Sequence, residues 1–168
     1  AREIELMAEA GGMVARTFQR IAPMIQPGVK TLAIDEAVRD SISELGGTPL
    51  FLGYHGFPAH SCISVNEEVV HGIPGDRQLM DGDLVSIDIG IGAQGFCGDS
   101  ARSFLVGEAS QETQEVLTVC RKALANGIEA AYPGNTRCGL ISSIEEVIEA
   151  SGRGLVKEFV GHGIGRNM

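Results

Sequence analysis

A helix–turn–helix pattern occurs twice in this chain, at a fixed offset of 106 residues. Each copy has an apolar helical stripe, a Pro-Gly turn at Pro27-Gly28 or Pro133-Gly134, and a second apolar stripe. When the turns are aligned, Ile34, Val38, Ile42 and Gly46 of the first copy fall on Leu140, Ile144, Ile148 and Gly152 of the second. A common helical period can produce some of these matches, but the shared turn favours an internal duplication. We therefore expect one domain over residues 1–168, with halves at about 1–107 and 108–168.

Strand patterns lie between and after the two copies. Segments rich in β-branched and aromatic residues, bounded by Gly, Pro and Asp, predict strands at Cys62–Val65, Leu84–Ile91, Phe96–Val106 and, shorter, Leu155–Val160. Thr31 is the predicted N-cap of the second helix. The second copy is followed by too few residues for a hairpin like that of the first, so on symmetry alone the natural protein should extend further. The chain also begins without a methionine, so we expect its first residue not to be the translated start.

Charge and cysteine usage exclude several classes of function. The chain has 13 basic and 22 acidic residues, and the net charge of −9 disfavours binding to nucleic acid or to an anionic membrane surface. No apolar run approaches the roughly 20 residues that span a bilayer, and no signal-peptide pattern is present, which predicts a cytoplasmic protein. The four cysteines, Cys62, Cys97, Cys120 and Cys138, form no Cys-x-x-Cys pair. We expect free thiols that serve as small buried apolar residues.

Asp88 and Asp99 are the most informative polar pair. Both fall inside strand patterns, and a hairpin that closes near Ala93-Gln94 would place them directly opposite each other. Opposed like charges destabilise a sheet unless a proton or a cation neutralises them, so the pair predicts a metal site. Glycines around the pair predict an opening that another group can approach. A single strand aspartate more often faces solvent, but two in register favour metal binding.

Two histidines are further candidates. His162 is bracketed by glycines in Gly161-His162-Gly163-Ile164-Gly165, and imidazole is the commonest nitrogen ligand of divalent metals. A lone histidine is more often structural, but the carboxylate pair favours a ligand here. His71 follows a strand-like run and precedes Gly72-Ile73-Pro74. It either polarises a carbonyl or holds a peptide nitrogen, or it is a solvated loop residue.

Several motifs together resemble the type I methionine aminopeptidases. These are Gly53-Tyr54-His55-Gly56-Phe57-Pro58, Ser61-Cys62-Ile63-Ser64-Val65-Asn66-Glu67, Val70-His71-Gly72-Ile73-Pro74, Asp81-Gly82-Asp83, Ile87-Asp88, Gly98-Asp99 and Gly161-His162-Gly163-Ile164-Gly165-Arg166. They cover nearly the whole chain in a fixed order. The resemblance implies the duplicated "pita-bread" fold, an α/β fold of the α+β type in which two helix pairs back a curved antiparallel sheet. In this chain the second half would be incomplete.

The resemblance also implies the activity and the residues that carry it. It makes the protein a hydrolase that removes the N-terminal methionine from new polypeptides with two divalent ions, for which the ligand chemistry allows Co, Mn, Fe(II) or Zn. Asp88, Asp99 and His162 would bind metal, and His71 would be catalytic and contact substrate. The remaining substrate contacts would be Tyr54, His55, Phe57 and Cys62. The family's two glutamate ligands and second substrate histidine would lie beyond His162, so we expect this chain by itself to be impaired and able to self-associate.

Two other functions are compatible with the same fold. Some relatives have lost their metals and act as binding proteins, but retention of Asp88, Asp99 and His162 argues against this class. Proline-directed peptidases such as prolidases are the second alternative. These usually carry a separate N-terminal domain, and we expect none before the first helical stripe here.

Overall fold

The computed structural model describes residues 2–168, which divide into two compact units. The first unit comprises the described residues up to Ala109 together with Gly163–Met168, and the second comprises Ser110–His162. None of the helices in the described part of the chain is long and apolar enough to cross a membrane.

Two helices pack against one face of a sheet in the first unit. Helix α1 spans Arg2–Ile21 and is followed by a 3₁₀ turn at Ala22–Met24, and α2 spans Thr31–Glu44. Both helices bury a stripe of apolar residues with helical spacing, as the sequence predicts. These residues form the core with the strands: Ala10, Val14, Phe18 and Ile21 of α1, Ile34, Val38 and Ile42 of α2, and Val85, Ile87, Ile89 and Ile91 of the sheet.

The sheet has four antiparallel strands arranged around one long hairpin. Strands β1 (Thr48–Pro49), β2 (Cys62–Val65), β3 (Leu84–Ala93) and β4 (Phe96–Leu105) follow in chain order. Strand β3 pairs with β4 along one edge and with β1 and β2 along the other. Alternate side chains of β3 are fully buried towards the core, and the intervening ones are more accessible. This second face of the sheet carries the candidate site.

The turn between β3 and β4 corrects the predicted register. Ala93 pairs with Phe96, so the hairpin closes at Gln94-Gly95, one residue later than predicted. Both turn residues have positive φ, 50° and 81°, as a two-residue type I′ turn requires, and glycine tolerates that conformation best. As a result Asp99 pairs with Gly90 and Asp88 pairs with Ala101, and the predicted direct opposition of the two aspartates is wrong.

The second unit repeats the helical plan of the first. Helix α3 spans Gln111–Ala130 and α4 spans Arg137–Ala150, and their lengths of 20 and 14 residues equal those of α1 and α2. The glycines that end the paired segments also adopt matching left-handed backbones, with φ of 86° at Gly28 and 97° at Gly134 and φ of 73° at Gly46 and 70° at Gly152. The backbone therefore agrees with the repeat detected in the sequence.

Two local predictions are wrong. Thr31 is the first residue of α2 and not its N-cap, which is Lys30. The Thr31 hydroxyl instead donates to the Gly75 carbonyl and accepts from the Gly75 N–H, at 3.1 and 2.9 Å, so a tertiary partner replaces the local one. The segment Leu155–Val160 is not a strand. A strand needs a neighbour for its backbone groups, and no strand is present in residues 110–162.

Candidate metal and substrate site

Asp88 and Asp99 lie on the same face of the β3–β4 hairpin. Asp99 pairs with Gly90, which is two residues from Asp88, so the two aspartates are diagonal neighbours across adjacent strands. Diagonal neighbours in antiparallel sheets are separated by roughly 7–8 Å. Both residues are half-buried. The predicted placement of the two aspartates on adjacent antiparallel strands and on one face is therefore confirmed, with the register shifted by two residues. That their carboxylates reach a common cation stays a prediction.

Cys62 completes this cluster from the opposite edge of β3. It pairs with Asp88 and is buried. Burial, followed by the negative charges of Asp88, Asp99 and Asp35, raises the pKa of the Cys62 thiol to about 12. The thiol is therefore neutral at physiological pH when the carboxylates are ionised. The first unit thus brings together three of the residues predicted for the site.

The glycines near the aspartates allow close packing and do not create the predicted opening. A Cβ at Gly90 would lie 2.7 Å from the Phe51 ring, so this buried ring covers the sheet beside Asp99. A Cβ at Gly98 would overlap the backbone of Ala10 and Gly11 in α1 on the other face. These two glycines let a ring and a helix approach the strands that carry the aspartates. Sequence analysis missed Phe51, although its aromatic side chain before Gly53-Tyr54 was a possible signal.

His71 lies on the connection that returns along the outer edge of β2. Its side chain is exposed and its φ is 60°, a left-handed conformation that is uncommon for residues other than glycine. The next residue is fixed to β2 twice: the Ile63 N–H donates to the Gly72 carbonyl at 2.8 Å, and the Gly72 N–H donates to the Ser64 hydroxyl at 3.1 Å. The structure therefore places His71 beside the strand that carries Cys62.

The predicted pocket residues Tyr54, His55 and Phe57 lie on the connection between β1 and β2. A 3₁₀ turn spans Tyr54–Gly56, and the Tyr54 and His55 rings meet edge to face with centroids 4.4 Å apart. His55 also has positive φ, 48°, and the Gly53 N–H closes the turn by donating to the Phe57 carbonyl at 2.8 Å. Tyr54 and His55 are exposed and Phe57 is half-buried. This compact turn presents aromatic groups eight or fewer residues before Cys62 in the sequence.

A buried carboxylate that sequence analysis missed fixes the start of β2. Asp35 of α2 accepts hydrogen bonds from the His60 and Ser61 N–H groups at 3.0 and 2.7 Å and from the Ser61 hydroxyl at 2.7 Å. Its second oxygen lies 2.9 Å from His60 Nδ1. Because Cys62 follows directly, Asp35 sets the position at which β2 begins. The only sequence signal was a charged residue next to the apolar stripe of α2.

His162 belongs to the second unit, where it is exposed. The residues that follow it belong to the first unit and lie beside β4, because the Cys97 N–H donates to the Gly165 carbonyl at 2.8 Å. Arg166 stacks on the Phe96 ring at 4.6 Å and pairs with Glu3 at 2.7 Å. Across residues 2–168, no three or more His, Cys, Asp and Glu side chains are grouped so as to hold a metal ion. The role of His162 as a ligand remains a prediction.

Comparison with known proteins identifies the class to which this fold and carboxylate pair belong. Metallopeptidase family M24 matches residues 5–168, and the chain belongs to this family. Membership of a metallopeptidase family implies divalent metal ions. The family and fold predicted from the motifs are therefore confirmed.

The similar proteins are methionine aminopeptidases. The chain is 42% identical to methionine aminopeptidase from Clostridium perfringens, over 99% of this chain and 67% of that protein. Among solved structures, methionine aminopeptidase from Thermotoga maritima is 36% identical with a TM-score of 0.96, covering 99% of this chain and 67% of the other. The enzyme from Rickettsia prowazekii is 32% identical with the same TM-score, over 98% and 66%. The chain thus spans about two thirds of the length of these relatives.

Proline-directed peptidases share the fold at lower similarity. Prolidase from Pyrococcus furiosus is 25% identical with a TM-score of 0.85, covering 99% of this chain but 48% of that protein. The sequence identity and the fraction of the relative's length that is matched are both lower than for the methionine aminopeptidases.

Proposed function

We propose that this protein is a metal-dependent aminopeptidase that removes the N-terminal methionine from new polypeptides. The main structural support is the pair Asp88 and Asp99, which lie on one half-buried face of the β3–β4 hairpin beside the neutral thiol of Cys62. The methionine aminopeptidases described above match this chain at 32–42% identity, above the 25% of the prolidase, which supports the same reaction. Because the chain spans about two thirds of those proteins, the proposal concerns the whole protein.

The donor set of the site fits divalent metal ions. Asp88 and Asp99 supply hard oxygen donors, and we propose that His162 adds an imidazole nitrogen. This combination suits Mn, Fe(II), Co or Zn and does not select among them. We propose that Asp88 and Asp99 would together hold two such ions. When bound, such a pair lowers the pKa of water and polarises the scissile carbonyl.

The buried, neutral thiol supports the assignment of Cys62 to the substrate pocket. As a buried neutral group, Cys62 suits an apolar methionine side chain. Tyr54, His55 and Phe57 would form the rest of the pocket from the neighbouring turn.

His71 is the proposed catalytic and substrate-contacting histidine. Its left-handed backbone beside β2 is unusual for a side chain of this size, and such conformations cluster at functional positions. An imidazole there can donate to a peptide carbonyl or accept from a peptide nitrogen. We propose that His71 orients the scissile peptide while the two aspartates hold the ions.

The substrate would be a peptide or nascent polypeptide, and we expect its second residue to be small. A cytoplasmic location follows from that substrate. The net charge of −9 remains the argument against nucleic acid or anionic membranes as partners.

The test uses the full-length protein loaded with Mn(II) or Co(II). We expect release of methionine from Met-Ala-Ser and little release from Met-Leu-Ser or from the proline-directed substrate Ala-Pro. Preferential hydrolysis of Ala-Pro would instead favour a prolidase. Metal binding without hydrolysis of any of the three peptides would favour a non-catalytic binding protein and overturn the proposal.

A further inference from the structure

The return segment behind β2 is anchored at Gly72. Ile63 pairs with Ile87 of β3, and its N–H points away from β3, where it donates to the Gly72 carbonyl at 2.8 Å. The Gly72 N–H is satisfied by the Ser64 hydroxyl at 3.1 Å. Both backbone groups of Gly72 are therefore bonded to consecutive residues of one strand.

Gly72 lies directly against this strand. A Cβ at position 72 would overlap the Ile63 carbonyl oxygen, and it would lie 2.9 Å from the Ser64 Cα, so the backbone of residue 72 lies in van der Waals contact with β2. The residue before it, His71, is held at φ 60°. A left-handed conformation of a residue with a Cβ persists only where its surroundings enforce it. The two hydrogen bonds of Gly72 provide that enforcement on the C-terminal side.

Ser64 is buried, and its hydroxyl does not bond to the serine opposite it on the sheet. It pairs with Ser86 of β3, but the Ser86 hydroxyl bonds to Ser103 at 2.8 Å. The Ser64 hydroxyl accepts instead from the backbone beside His71. The adjacent site-face residue of β2 is Cys62, which pairs with Asp88. One short strand therefore joins the return segment to the carboxylate site.

We propose that Ser64 is a positioning residue for His71: its hydroxyl holds Gly72 against β2 and thereby fixes the backbone that carries the imidazole. This inference rests on the proposed function, in which His71 contacts the substrate. Loss of the Ser64 hydroxyl would leave the Gly72 N–H unpaired and release the left-handed backbone at His71. The ions bound by the aspartates would be unaffected, because Ser64 acts on the substrate side of the site.

A double-mutant cycle on the full-length, Mn(II)-loaded protein tests this inference. The variants are Ser64→Ala, His71→Ala, the double variant, and Ser103→Ala as a matched loss of a serine hydroxyl from the same face of the sheet. We expect Ser64→Ala to lower kcat/KM for Met-Ala-Ser by about tenfold or more, as losses of supporting contacts do. Ser103→Ala should stay near wild type, and Mn(II) affinity should be unchanged in both.

The decisive comparison is made in the His71→Ala background. If Ser64 acts through His71, adding Ser64→Ala to His71→Ala should cause no further loss of kcat/KM. Hydrogen exchange gives an independent measurement: the Gly72 amide should exchange faster in Ser64→Ala than in Ser103→Ala.

The outcomes separate the inference from the proposed function. Wild-type turnover by His71→Ala would refute the proposed role of His71. An impaired His71→Ala with an unimpaired Ser64→Ala would leave that role intact and overturn the positioning inference. A full additional loss from Ser64→Ala in the His71→Ala background would also overturn it, because the serine would then act independently of the histidine.

Discussion

Cys62 pairs with Asp88 where β2 meets β3, so a thiol and a carboxylate are neighbours on the half-buried face of the sheet. Because of burial and the surrounding aspartates, the pKa of this thiol is about 12, against an ordinary value of 9.0. The pair therefore combines a charged group suited to a metal ion with a neutral group suited to an apolar side chain. Both chemical environments depend on the same strand register.

The reactivity of Cys62 should reveal this environment directly. With metals removed by a chelator, Cys62 should resist iodoacetamide at pH 8, because the thiolate is the nucleophile and its population is roughly a thousandfold below that of an ordinary thiol. Peptide mass spectrometry can compare its labelling rate with those of the exposed Cys120 and Cys138. Asp88→Asn should speed the labelling of Cys62 by lowering its pKa, whereas Asp40→Asn on the surface of α2 should not. Equal labelling of Cys62 and Cys120 in the wild type would contradict the assignment.

The same thiol should make stability depend on pH at the alkaline end. Its folded pKa lies above its unfolded value, so the stability associated with the protonated thiol is complete below about pH 9 and is lost as pH rises towards 12. Cys62→Ala removes this dependence. Urea unfolding of the metal-free proteins at pH 8, 9 and 10 should show the wild type losing stability relative to the variant as pH increases. A difference that stays constant from pH 8 to 10 would show that the thiol pKa is not raised.

Replacing Asp99 should weaken metal binding more than it weakens the fold. Asp99→Asn keeps the shape of the side chain but removes the charge that a divalent ion requires. We therefore expect the Mn(II) affinity to fall by about tenfold or more and most of the turnover to be lost. Calorimetric titration of the full-length protein measures the affinity. Asp76→Asn, which removes an exposed carboxylate paired with Lys30, is the control. Wild-type turnover by Asp99→Asn at limiting metal would exclude Asp99 as a ligand.

Asp35→Ala should destabilise the first unit, because it removes the hydrogen bonds that hold the start of β2. The change leaves the N–H and hydroxyl of Ser61 without their acceptor, and Ser61 is fully buried, so the free energy of unfolding should fall by about 2–4 kcal/mol. Asp40→Ala on the same helix, exposed and paired with its neighbour Arg39, should change it by less than about 0.5 kcal/mol. Chemical denaturation of both variants makes the comparison. Equal effects would show that the Asp35 network contributes no special stability.

Two glycines in contact across the α1–β4 packing should respond in opposite directions. Gly98→Ala introduces a methyl group into the backbone of α1 and should cost about 1–3 kcal/mol of unfolding free energy. Gly11→Ala meets no atom within 4 Å and lies inside α1, so it should stabilise by about 0.5–1 kcal/mol. Thermal unfolding of both variants provides the measurement. A neutral Gly98→Ala would show that the helix can move away from the strand without cost.

The helices and the shared face of the aspartates could be predicted, because both depend on the spacing of residues along a single helix or strand. Apolar spacing identified all four helices, and alternation along a strand keeps Asp88 and Asp99 on one face even when the register is wrong by two residues. The turn position was the weaker prediction, because it depends on which residue adopts a left-handed backbone. Gly95 was the available signal for the correct turn.

The contacts between distant segments could not be predicted. Asp35 and Ser61 are 26 residues apart and share no motif, yet their hydrogen bond fixes the start of β2. The same holds for Gly72 and Ser64, whose contact depends on how the chain returns along the strand. Such pairs are selected by the docking of α2 and of the return segment, which no local pattern specifies.

The sequence by itself determined the repeated helix pair, the strands of the hairpin, the candidate ligands and the family resemblance, because each is written in local spacing or in contiguous motifs. Only the tertiary structure decided that Asp99 faces Gly90, that Cys62 lies beside Asp88, and that Phe51 covers the adjacent glycine. The physical reason is that register and close packing depend on turn geometry and on the burial of side chains from several elements at once.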